Sequence, residues 1–389
     1  MTESSNRRVP ASTVAIIRCS SYDAVAVQEA VARGLRLLGG AGAFVKPGET
    51  ILLKPNLLTG RSPERAVTTH PSVFRAVAMA LQSAGVTLVY GDSPGFGKPQ
   101  TAAQKAGLLA VACEMDIALA DFTHGDTVLF PGGMQNKQFT IARGVLSADG
   151  IVSLPKMKSH GLTRMTGAIK NQFGCVPGPL KAEFHARLPM AELFSQMLVD
   201  LNRFLKPRLF VMDGIIAMEG NGPQNGTPRP MNALLLSSDP VALDATVCRM
   251  MALDPALVLP IHYGVKFGLG SAEDVELVGD PIESFVATDF VVNRSPLPTT
   301  EQPGRPSRLA RRYIVPKPFI VAAKCTRCGT CVSVCPVEPK AVEFRGSGRV
   351  NPPIHDYQRC IRCYCCQELC PEGAIEVKTP WLGKLIHRK

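Results

Sequence analysis

The chain has 389 residues, of which 46% are hydrophobic, so it is long enough for a sizeable core and for two or three domains. Its formal net charge of +11 is compatible with binding nucleic acid, a membrane surface, or anionic substrates and partners. Aromatic residues make up only 6% of the chain and form no platform interleaved with basic residues, which disfavours nucleic-acid binding.

The N-terminal segment lacks the pattern of a secretion signal or a membrane anchor. Arg7 and Arg8 precede an apolar run that covers only Val14–Ile17, which is too short for the apolar core of a signal peptide. No run in the chain approaches the ~20 apolar residues that a transmembrane helix needs. Four cysteines are scattered singly, as in proteins of a reducing compartment: Cys19, Cys113, Cys175 and Cys248. We expect a soluble cytoplasmic protein without a membrane span.

The first 300 residues alternate short apolar strands with longer amphipathic helices. Predicted strands lie at 14–17, 51–53, 86–90, 150–154, 208–212 and 233–236. Predicted helices lie at about 23–38, 71–83, from 101 onwards, 189–204 and 241–253. Such alternation is typical of βαβ units, so residues 1–300 are predicted to form an α/β domain with a mostly parallel sheet and flanking helices.

Polar residues follow several of these strands, at the sheet edge where α/β proteins bind their ligands. Five lysines lie there or in glycine-rich loops, and if they converge they form a pocket for a carboxylate or phosphate: Lys54, Lys156, Lys158, Lys170 and Lys181. The candidate substrate-binding residues are Lys54, Asn56, Lys170 and Asn171. The candidate catalytic residues are Lys156, Lys158 and His160. In this prediction the lysines hold an anionic substrate, and His160 supplies a proton.

Other interpretations of the polar residues remain open. Four carboxylates could be acid–base groups, partners of the lysines, or ligands of a hard metal ion: Asp92, Asp213, Glu219 and Asp244. Asp213 could instead belong to a simple turn after its strand. Asp239 before Pro240 could cap the next helix and leave Asp244 on an exposed turn. The glycine-rich run Gly91–Gly97 matches neither the dinucleotide fingerprint nor a P-loop.

The composition then changes over residues 301–318, where prolines accompany a cluster of arginines: Arg305, Arg308, Arg311 and Arg312. This composition predicts a linker between the α/β domain and a second domain at 319–389, which ends in a basic tail.

Two copies of one cysteine motif dominate the second domain. The first copy comprises Cys325, Cys328, Cys331 and Cys335, and the second comprises Cys360, Cys363, Cys366 and Cys370. This is the spacing of bacterial ferredoxins with two [4Fe–4S] clusters, in which the fourth cysteine of each motif binds the other cluster. We therefore assign one cluster to Cys325, Cys328, Cys331 and Cys370, and the other to Cys335, Cys360, Cys363 and Cys366. Zinc or disulfides are the alternatives, but neither explains two triplets of cysteines that are each followed by a Cys-Pro pair.

Residues 315–380 therefore resemble the two-[4Fe–4S] ferredoxin family, which implies a small α+β domain built as a β-α-β pair with a pseudo-twofold axis. Cys365 breaks no spacing and is predicted to bind no cluster, with a swapped ligand as the alternative. Four basic residues surround the cluster loops: Lys324, Arg327, Arg359 and Arg362. They could raise the cluster potentials, dock an acidic electron donor, or simply be solvated.

Further blocks lie in the N-terminal domain: Lys54-Pro55-Asn56, Gly91–Gly95, Leu154–His160, Thr166–Asn171, Asp213-Gly214, Met218–Gly220 and Asp239–Ala245. They resemble the bacterial and archaeal family called domain of unknown function 362, which is often joined to a ferredoxin domain. The resemblance implies this architecture and a redox role, but no particular reaction.

Two functions follow from these patterns. The first is an iron–sulfur reductase that takes electrons from a donor protein and passes them through two [4Fe–4S] clusters to an anionic small molecule in the α/β domain. The second is a non-enzymatic electron carrier or maturation factor that serves a partner enzyme, and the basic linker is the feature in its favour.

Overall fold

The computed structural model describes residues 12–295, 313, 315–346 and 348–381. The predicted linker at 301–318 and the basic tail lie mostly outside these residues, so the predicted domain boundaries stay predictions. No helix in the described residues is both long and apolar enough to cross a bilayer.

The larger domain is built on a ten-stranded sheet. Its strands are β1 Ser12–Arg18, β2 Thr50–Pro55, β3 Thr87–Tyr90, β4 Ala118–Leu119, β7 Gly150–Leu154, β8 Lys156–His160, β9 Arg164–Thr166, β10 Leu209–Glu219, β11 Thr227–Ser237 and β12 Val275–Gly279. Their order is β12-β1-β11-β10-β7-β2-β3-β4, with β8 beside β10 and β9 beside β8. A separate hairpin pairs β5 Gly125–Leu129 with β6 Gln138–Ala142.

Parallel pairing dominates the sheet. Strands β10, β7, β2, β3 and β4 pair in parallel, as do β1 with β12 and β8 with β10. Strand β11 runs antiparallel to β1 and β10, and β9 runs antiparallel to β8. The prediction of a mostly parallel sheet is therefore confirmed.

Helices cover both faces of the sheet, as the βαβ pattern requires. They are α1 Ala24–Leu37, α2 Pro71–Gln82, α3 Pro99–Lys105, α4 Leu108–Glu114, α5 Arg143–Leu146, α6 Ala168–Asn171, α7 Gly178–Arg187, α8 Ala191–Leu205, α9 Pro240–Met250 and α10 Leu259–Lys266. Ile17 and Leu53 point into the core under α1 and α2, whereas their neighbours Ile16 and Leu52 point into the core under α8 and α9. This alternation of apolar side chains fixes the strand register on both faces.

Three local details differ from the sequence-based expectations. Residues 156–160 were expected to form a loop but form strand β8, and β10 continues through Asp213 to Glu219. Asp213 therefore lies inside a strand and not in a turn. Asp239 does cap α9, since its side chain accepts the Val241 and Ala242 amides. The exposed position considered for Asp244 is wrong, because this carboxylate is buried and accepts the Ala168 and Ile169 amides.

The C-terminal domain is small and contains two similar halves. Its elements are β13 Lys317–Ile320, α11 Thr330–Ser333, β14 Val342–Glu343, β15 Ile354–His355, α12 Cys365–Glu368 and β16 Ile375–Lys378. Strand β13 pairs antiparallel with β16, and β14 pairs antiparallel with β15. Helices α11 and α12 follow the two cysteine loops, so each motif sits at the start of an equivalent short helix.

Candidate functional site

The carboxyl ends of β2 and β3 meet in a buried polar network around Lys54. Its ammonium group donates hydrogen bonds to Asp92 Oδ1 at 2.8 Å and to Asn171 Oδ1 at 3.3 Å. Asn171 Oδ1 also accepts from Asn56 Nδ2 at 3.1 Å. Gly174 is required here, because a Cβ at this position would lie 1.7 Å from Asp92 Oδ1. Lys54 is fully buried and paired with a carboxylate.

A second network lies beside the first, where β8 runs next to β10. Lys156 Nζ donates to Asp213 Oδ2 at 2.7 Å and to the Tyr22 hydroxyl at 2.7 Å. The Tyr22 hydroxyl donates in turn to Asp213 Oδ1 at 2.9 Å, and its ring stacks on His70 with the ring centres 3.6 Å apart. Burial lowers the pKa of His70 to about 4, so its imidazole is neutral at pH 7.

The predicted substrate lysines Lys54 and Lys156 therefore each have a buried carboxylate partner already. A buried ion pair of this kind is costly to break, since removing one member leaves an uncompensated charge. This geometry suits lysines that position other groups better than lysines that contact an anion directly. Their predicted functional roles stay predictions.

Three other lysines have no carboxylate partner among the described residues. Lys158 is 1% exposed and donates only to neutral acceptors, the Asn56 side-chain oxygen and the Val67 carbonyl, both at 2.7 Å. Lys181 donates to the carbonyls of Ser93 and Pro94. Lys170 is half-buried, and no hydrogen bond or ion pair joins its side chain to any described residue.

These three ammonium groups lie close enough to influence one another. Burial lowers the pKa of Lys158 well below its usual value, and the positive charges of Lys170 and Lys156 lower it further. Burial likewise lowers the pKa of Lys181 to about 7, where Asp92 opposes the shift and Lys54 and Lys170 add to it. The region therefore disfavours the charged forms of Lys158 and Lys181, and a bound anion would favour them.

The cluster domain contributes one carboxylate to this region. Glu368, in α12 between two cluster cysteines, places Oε1 2.8 Å from His160 Nε2, and both side chains are buried. His160 Nδ1 accepts the amides of Leu162 and Thr163, so the single proton of the neutral ring is on Nε2 and faces Glu368. Burial and Lys170 lower the pKa of His160 to about 4, against the opposing effect of Glu368. Burial alone would raise the pKa of Glu368, but His160 and Lys170 outweigh it and hold this carboxyl ionised.

The glycine-rich loop between β10 and β11, residues 220–226, is the docking surface for α12. Gln367 Nε2 donates to Asn221 Oδ1 at 2.7 Å and to the Gly222 carbonyl at 3.1 Å. Gln224 and Asn225 both donate to the Cys370 carbonyl at 3.1 Å. A Cβ on Gly222 would lie 2.2 Å from the Ser159 carbonyl, so the loop packs directly on β8. The loop thus joins the cluster motif to the strand that carries Lys158 and His160.

The first predicted set of cluster ligands surrounds one cavity. A small pocket is lined by Cys325, Cys328, Cys331 and Cys370 together with neighbouring residues of both motifs. Burial and the nearby Cys370, Cys328 and Cys325 raise the pKa of Cys331 to about 12. Four thiolates are therefore stable together only when positive charge is supplied, as iron would supply it.

The second predicted set also comes together. Burial raises the pKa of Cys366 well above its usual value, and Cys363, Cys360, Cys331 and Cys335 raise it further. The amides of Ala341 and Ala374 donate to Cys335 and Cys370 at 3.4 and 3.3 Å, which are N–H···S contacts of the kind that stabilise cluster ligands.

Among the described residues, no three His, Cys, Asp or Glu side chains are grouped to hold a single metal ion. The assignment of individual ligands, including the spectator role of Cys365, stays a prediction.

The sequence analysis missed Glu368, Gln367, Tyr22 and the docking role of the glycine-rich loop. The difference between the two cysteine motifs is the sequence signal for Glu368 and Gln367. Ser333 and Val332 in the first motif occupy the positions of Glu368 and Gln367 in the second, so the second helix carries polar groups that a cluster alone does not need.

Comparison with known proteins places this architecture in a family. Residues 51–249, just over half of the chain, match the family described as domain of unknown function DUF362. The chain belongs to the DUF362 family. Residues 324–374 of this DUF362 protein match a 4Fe-4S dicluster domain, so the C-terminal domain is an iron–sulfur domain of the [4Fe–4S] class.

Two relatives are each similar to part of this chain. The DUF362 chain is 39% identical over 258 residues to a thylakoid-associated protein of Synechocystis sp., and the match covers 66% of this chain and 80% of the relative. Its cluster domain is 36% identical over 63 residues to subunit I of the NADH-quinone oxidoreductase of Pelobacter propionicus, covering 14% of this chain and 33% of that subunit. The dicluster domain and its likeness to an oxidoreductase subunit support an electron-transfer role.

One solved structure has a related outline. The lactate racemase apoprotein of Thermoanaerobacterium thermosaccharolyticum aligns with a TM-score of 0.37 and 13% identity, covering 59% of this chain and 54% of the racemase.

Proposed function

We propose that this DUF362 protein reduces an anionic small molecule bound where the α/β domain meets the cluster domain. The observation that carries the proposal is a group of three lysines without a carboxylate ion-pair partner among the described residues, Lys158, Lys170 and Lys181, near the His160–Glu368 contact. Glu368 lies in the same short helix, α12, as the predicted cluster ligand Cys366. The lysine group is therefore adjacent to the iron–sulfur domain.

This lack of ion-pair partners favours an anion because a buried ammonium without a counter-ion costs several kcal/mol of stability. Lys158 has only neutral oxygen acceptors, and the Lys170 ammonium group has no hydrogen-bond or ion-pair partner among the described residues. A carboxylate or phosphate at Lys170 would supply the missing negative charge. Lys170 is thus the residue that we propose contacts the substrate, with Lys158 behind it.

The other predicted residues act in support. Lys54 and Lys156 hold Asp92 and Asp213, and Asn171 links the Lys54 pair to Asn56 and thereby to Lys158. His160 holds Glu368 against the α/β domain, and its predicted role as a proton donor stays a prediction. Two [4Fe–4S] clusters, when bound by the eight motif cysteines, would supply electrons one at a time.

A donor protein is proposed to bind at the opposite side of the cluster domain. Cys328 is exposed, and the exposed Arg327 and Arg349 flank it, with Arg349 donating to the Cys328 carbonyl at 2.7 Å. Exposed positive charge at a cluster edge favours an acidic electron-transfer protein and speeds its association.

The test is an anaerobic reoxidation assay on the full chain. The reduced protein is mixed with a panel of carboxylates and phosphate monoesters, and the recovery of cluster absorbance is recorded. Lys170→Ala is expected to abolish reoxidation that the wild type shows, while the iron content is unchanged. Lys105→Ala, which removes an exposed lysine of α3, is the matched control and should behave as wild type.

Reoxidation that is equally fast in Lys170→Ala would contradict the proposed site. Reoxidation by no member of the panel would favour the alternative, in which the protein serves a partner enzyme. The arginines on which that alternative depends, Arg305, Arg308, Arg311 and Arg312, lie outside the described residues.

A further inference from the structure

The two cysteine motifs repeat with an offset of 35 residues, since Cys325 pairs with Cys360 and Cys335 with Cys370. Arg327 and Arg362 occupy equivalent positions in this repeat. They also share a backbone conformation that non-glycine residues rarely adopt, with φ angles of 59° and 64°. Any difference between the two arginines therefore reflects their surroundings and not the loop geometry.

Those surroundings are very different. Arg327 is exposed and donates to the Val350 carbonyl at 2.9 Å. Arg362 is only 5% exposed, and its Nε and Nη1 atoms have no hydrogen-bond partner among the described residues. Its guanidinium lies 4.8 Å from the ring centre of Tyr357, which shields it further from solvent.

The other basic groups near the cluster loops are compensated or solvated. Lys324 is paired with Glu376 at 3.2 Å, and Arg359 is paired with Asp356 at 2.7 Å. Arg349 is exposed and bonded to a backbone carbonyl. Within the part of the chain that the structure describes, Arg362 is the cation at the loops that is both buried and without a charged partner.

A buried guanidinium of this kind needs negative charge close by. Arg362 lies between Cys360 and Cys363 in the chain, so an anionic cluster held by these thiolates would provide that charge. Each added electron makes a cluster more negative, and a fixed positive charge at low dielectric stabilises the reduced form most. A solvated charge such as Arg327 is screened and has a smaller effect.

We propose that Arg362 raises the reduction potential of the cluster held by Cys335, Cys360, Cys363 and Cys366 above that of the cluster held by Cys325, Cys328, Cys331 and Cys370. His355 acts in the same direction, because its Nε2 atom lies 3.5 Å from Cys366 Sγ and is placed to share a hydrogen with that sulfur. The proposal rests on the two ligand sets given above.

The consequence is a direction for electrons. A one-electron donor protein that binds at the exposed Cys328 side is oxidised by one electron. Arg362 stabilises that electron at the second ligand set, whose Cys366 lies in the same helix as Glu368. The residue thereby draws electrons from the solvent side of the domain toward the α/β domain.

The test is a potentiometric titration of the anaerobically purified full chain, followed by electron paramagnetic resonance and without any substrate. Cys331→Ala and Cys366→Ala assign the two signals. The wild type is expected to show the higher midpoint potential in the signal that Cys366→Ala loses. Arg362→Gln should lower that potential, Arg362→Lys should keep most of it, and Arg327→Gln should shift the other signal by less.

Any of three results would overturn the proposal, the second and third of which concern the glutamine variants. One is that the higher potential belongs to the signal lost in Cys331→Ala. The others are that Arg362→Gln and Arg327→Gln shift their signals equally, and that Arg362→Gln shifts neither. If Arg362→Gln loses iron, Arg362→Met is the second neutral variant, and the wild-type assignment alone still decides the order. Because no substrate is added, failure here leaves the proposed anion reduction untouched.

Discussion

The two halves of the cluster domain have the same cysteine spacing, the same loop conformation and the same short helix, yet they face different environments. The first half exposes Cys328, Arg327 and Ser333 to solvent, whereas at the equivalent positions of the second half Cys363 is half-buried and Arg362 and Glu368 are buried. A repeated local sequence thus fixes the loop geometry, and the residues between the cysteines determine what each loop contacts. The difference separates a half suited to meeting a donor from a half suited to serving the α/β domain.

The largest expected effect tests whether the halves exchange their fourth ligands. Cys331→Ala and Cys370→Ala should each lose about four of about eight irons and leave the same residual resonance spectrum, because both residues are predicted to bind one cluster. Cys335→Ala and Cys366→Ala should share the other spectrum. Iron analysis and spectroscopy of the four variants check this.

Pairing of the spectra by motif, with Cys331→Ala resembling Cys335→Ala, would contradict the crossed ligand sets. Cys365→Ser is the control beside Cys366, and it should retain all of its iron.

The second expected effect concerns the equivalent residues Glu368 and Ser333. Glu368→Ala removes the buried carboxylate that lies 2.8 Å from His160 Nε2, so we expect a loss of about 1–3 kcal/mol in unfolding free energy. Ser333→Ala changes an exposed side chain and should stay within about 0.5 kcal/mol. Anaerobic denaturant unfolding, followed by cluster absorbance, compares them. Equal losses in the two variants would show that docking through Glu368 contributes no stability.

A third expected effect concerns the exposed side of the cluster domain, where Arg327 and Arg349 flank Cys328. Charge reversal at Arg327 and Arg349 should lower the rate of reduction by a reduced acidic two-iron ferredoxin about tenfold at low salt, and the difference should shrink as salt is added. Stopped-flow mixing measures the rate. Arg187→Glu reverses an exposed charge in the α/β domain and is the control. A salt-independent rate in the wild type would argue against docking at this face.

The smallest expected effect is a pH dependence of anion binding near Lys181. The pKa of Lys181 is lowered to about 7, so its positive charge is present below pH 7 and is lost above it. Binding of inorganic phosphate, measured by calorimetry, should therefore weaken by roughly threefold between about pH 6 and pH 8, which is ~0.6 kcal/mol. In Lys181→Met this difference should disappear. The titration of phosphate itself opposes this trend, so the comparison between the two proteins is decisive.

The sequence predicted the features that depend on local or periodic patterns. The parallel sheet followed from the alternation of strands and helices, and the 4Fe-4S dicluster domain followed from cysteine spacing. Strand β8 was missed because Lys156, Lys158 and His160 do not resemble a buried strand. They are tolerated there because partners from distant segments, such as Asp213 and Glu368, satisfy their polar atoms.

Such partners cannot be predicted from spacing, since each contact joins residues far apart in the chain. The same limit hid the difference between Arg327 and Arg362. Their equivalent positions are visible in the sequence, but burial of one of them depends on how the second half packs.

The contact between Glu368 and His160 also bears on encounter rates. Because both residues belong to one chain, the α/β domain meets the cluster domain at an effective concentration on the order of millimolar, whatever the abundance of the protein. A modest set of hydrogen bonds from Gln367, Gln224 and Asn225 is then enough to keep the two domains together most of the time. In the proposed function, only the half of the cluster domain that contains Cys328 depends on an encounter with a diffusing partner.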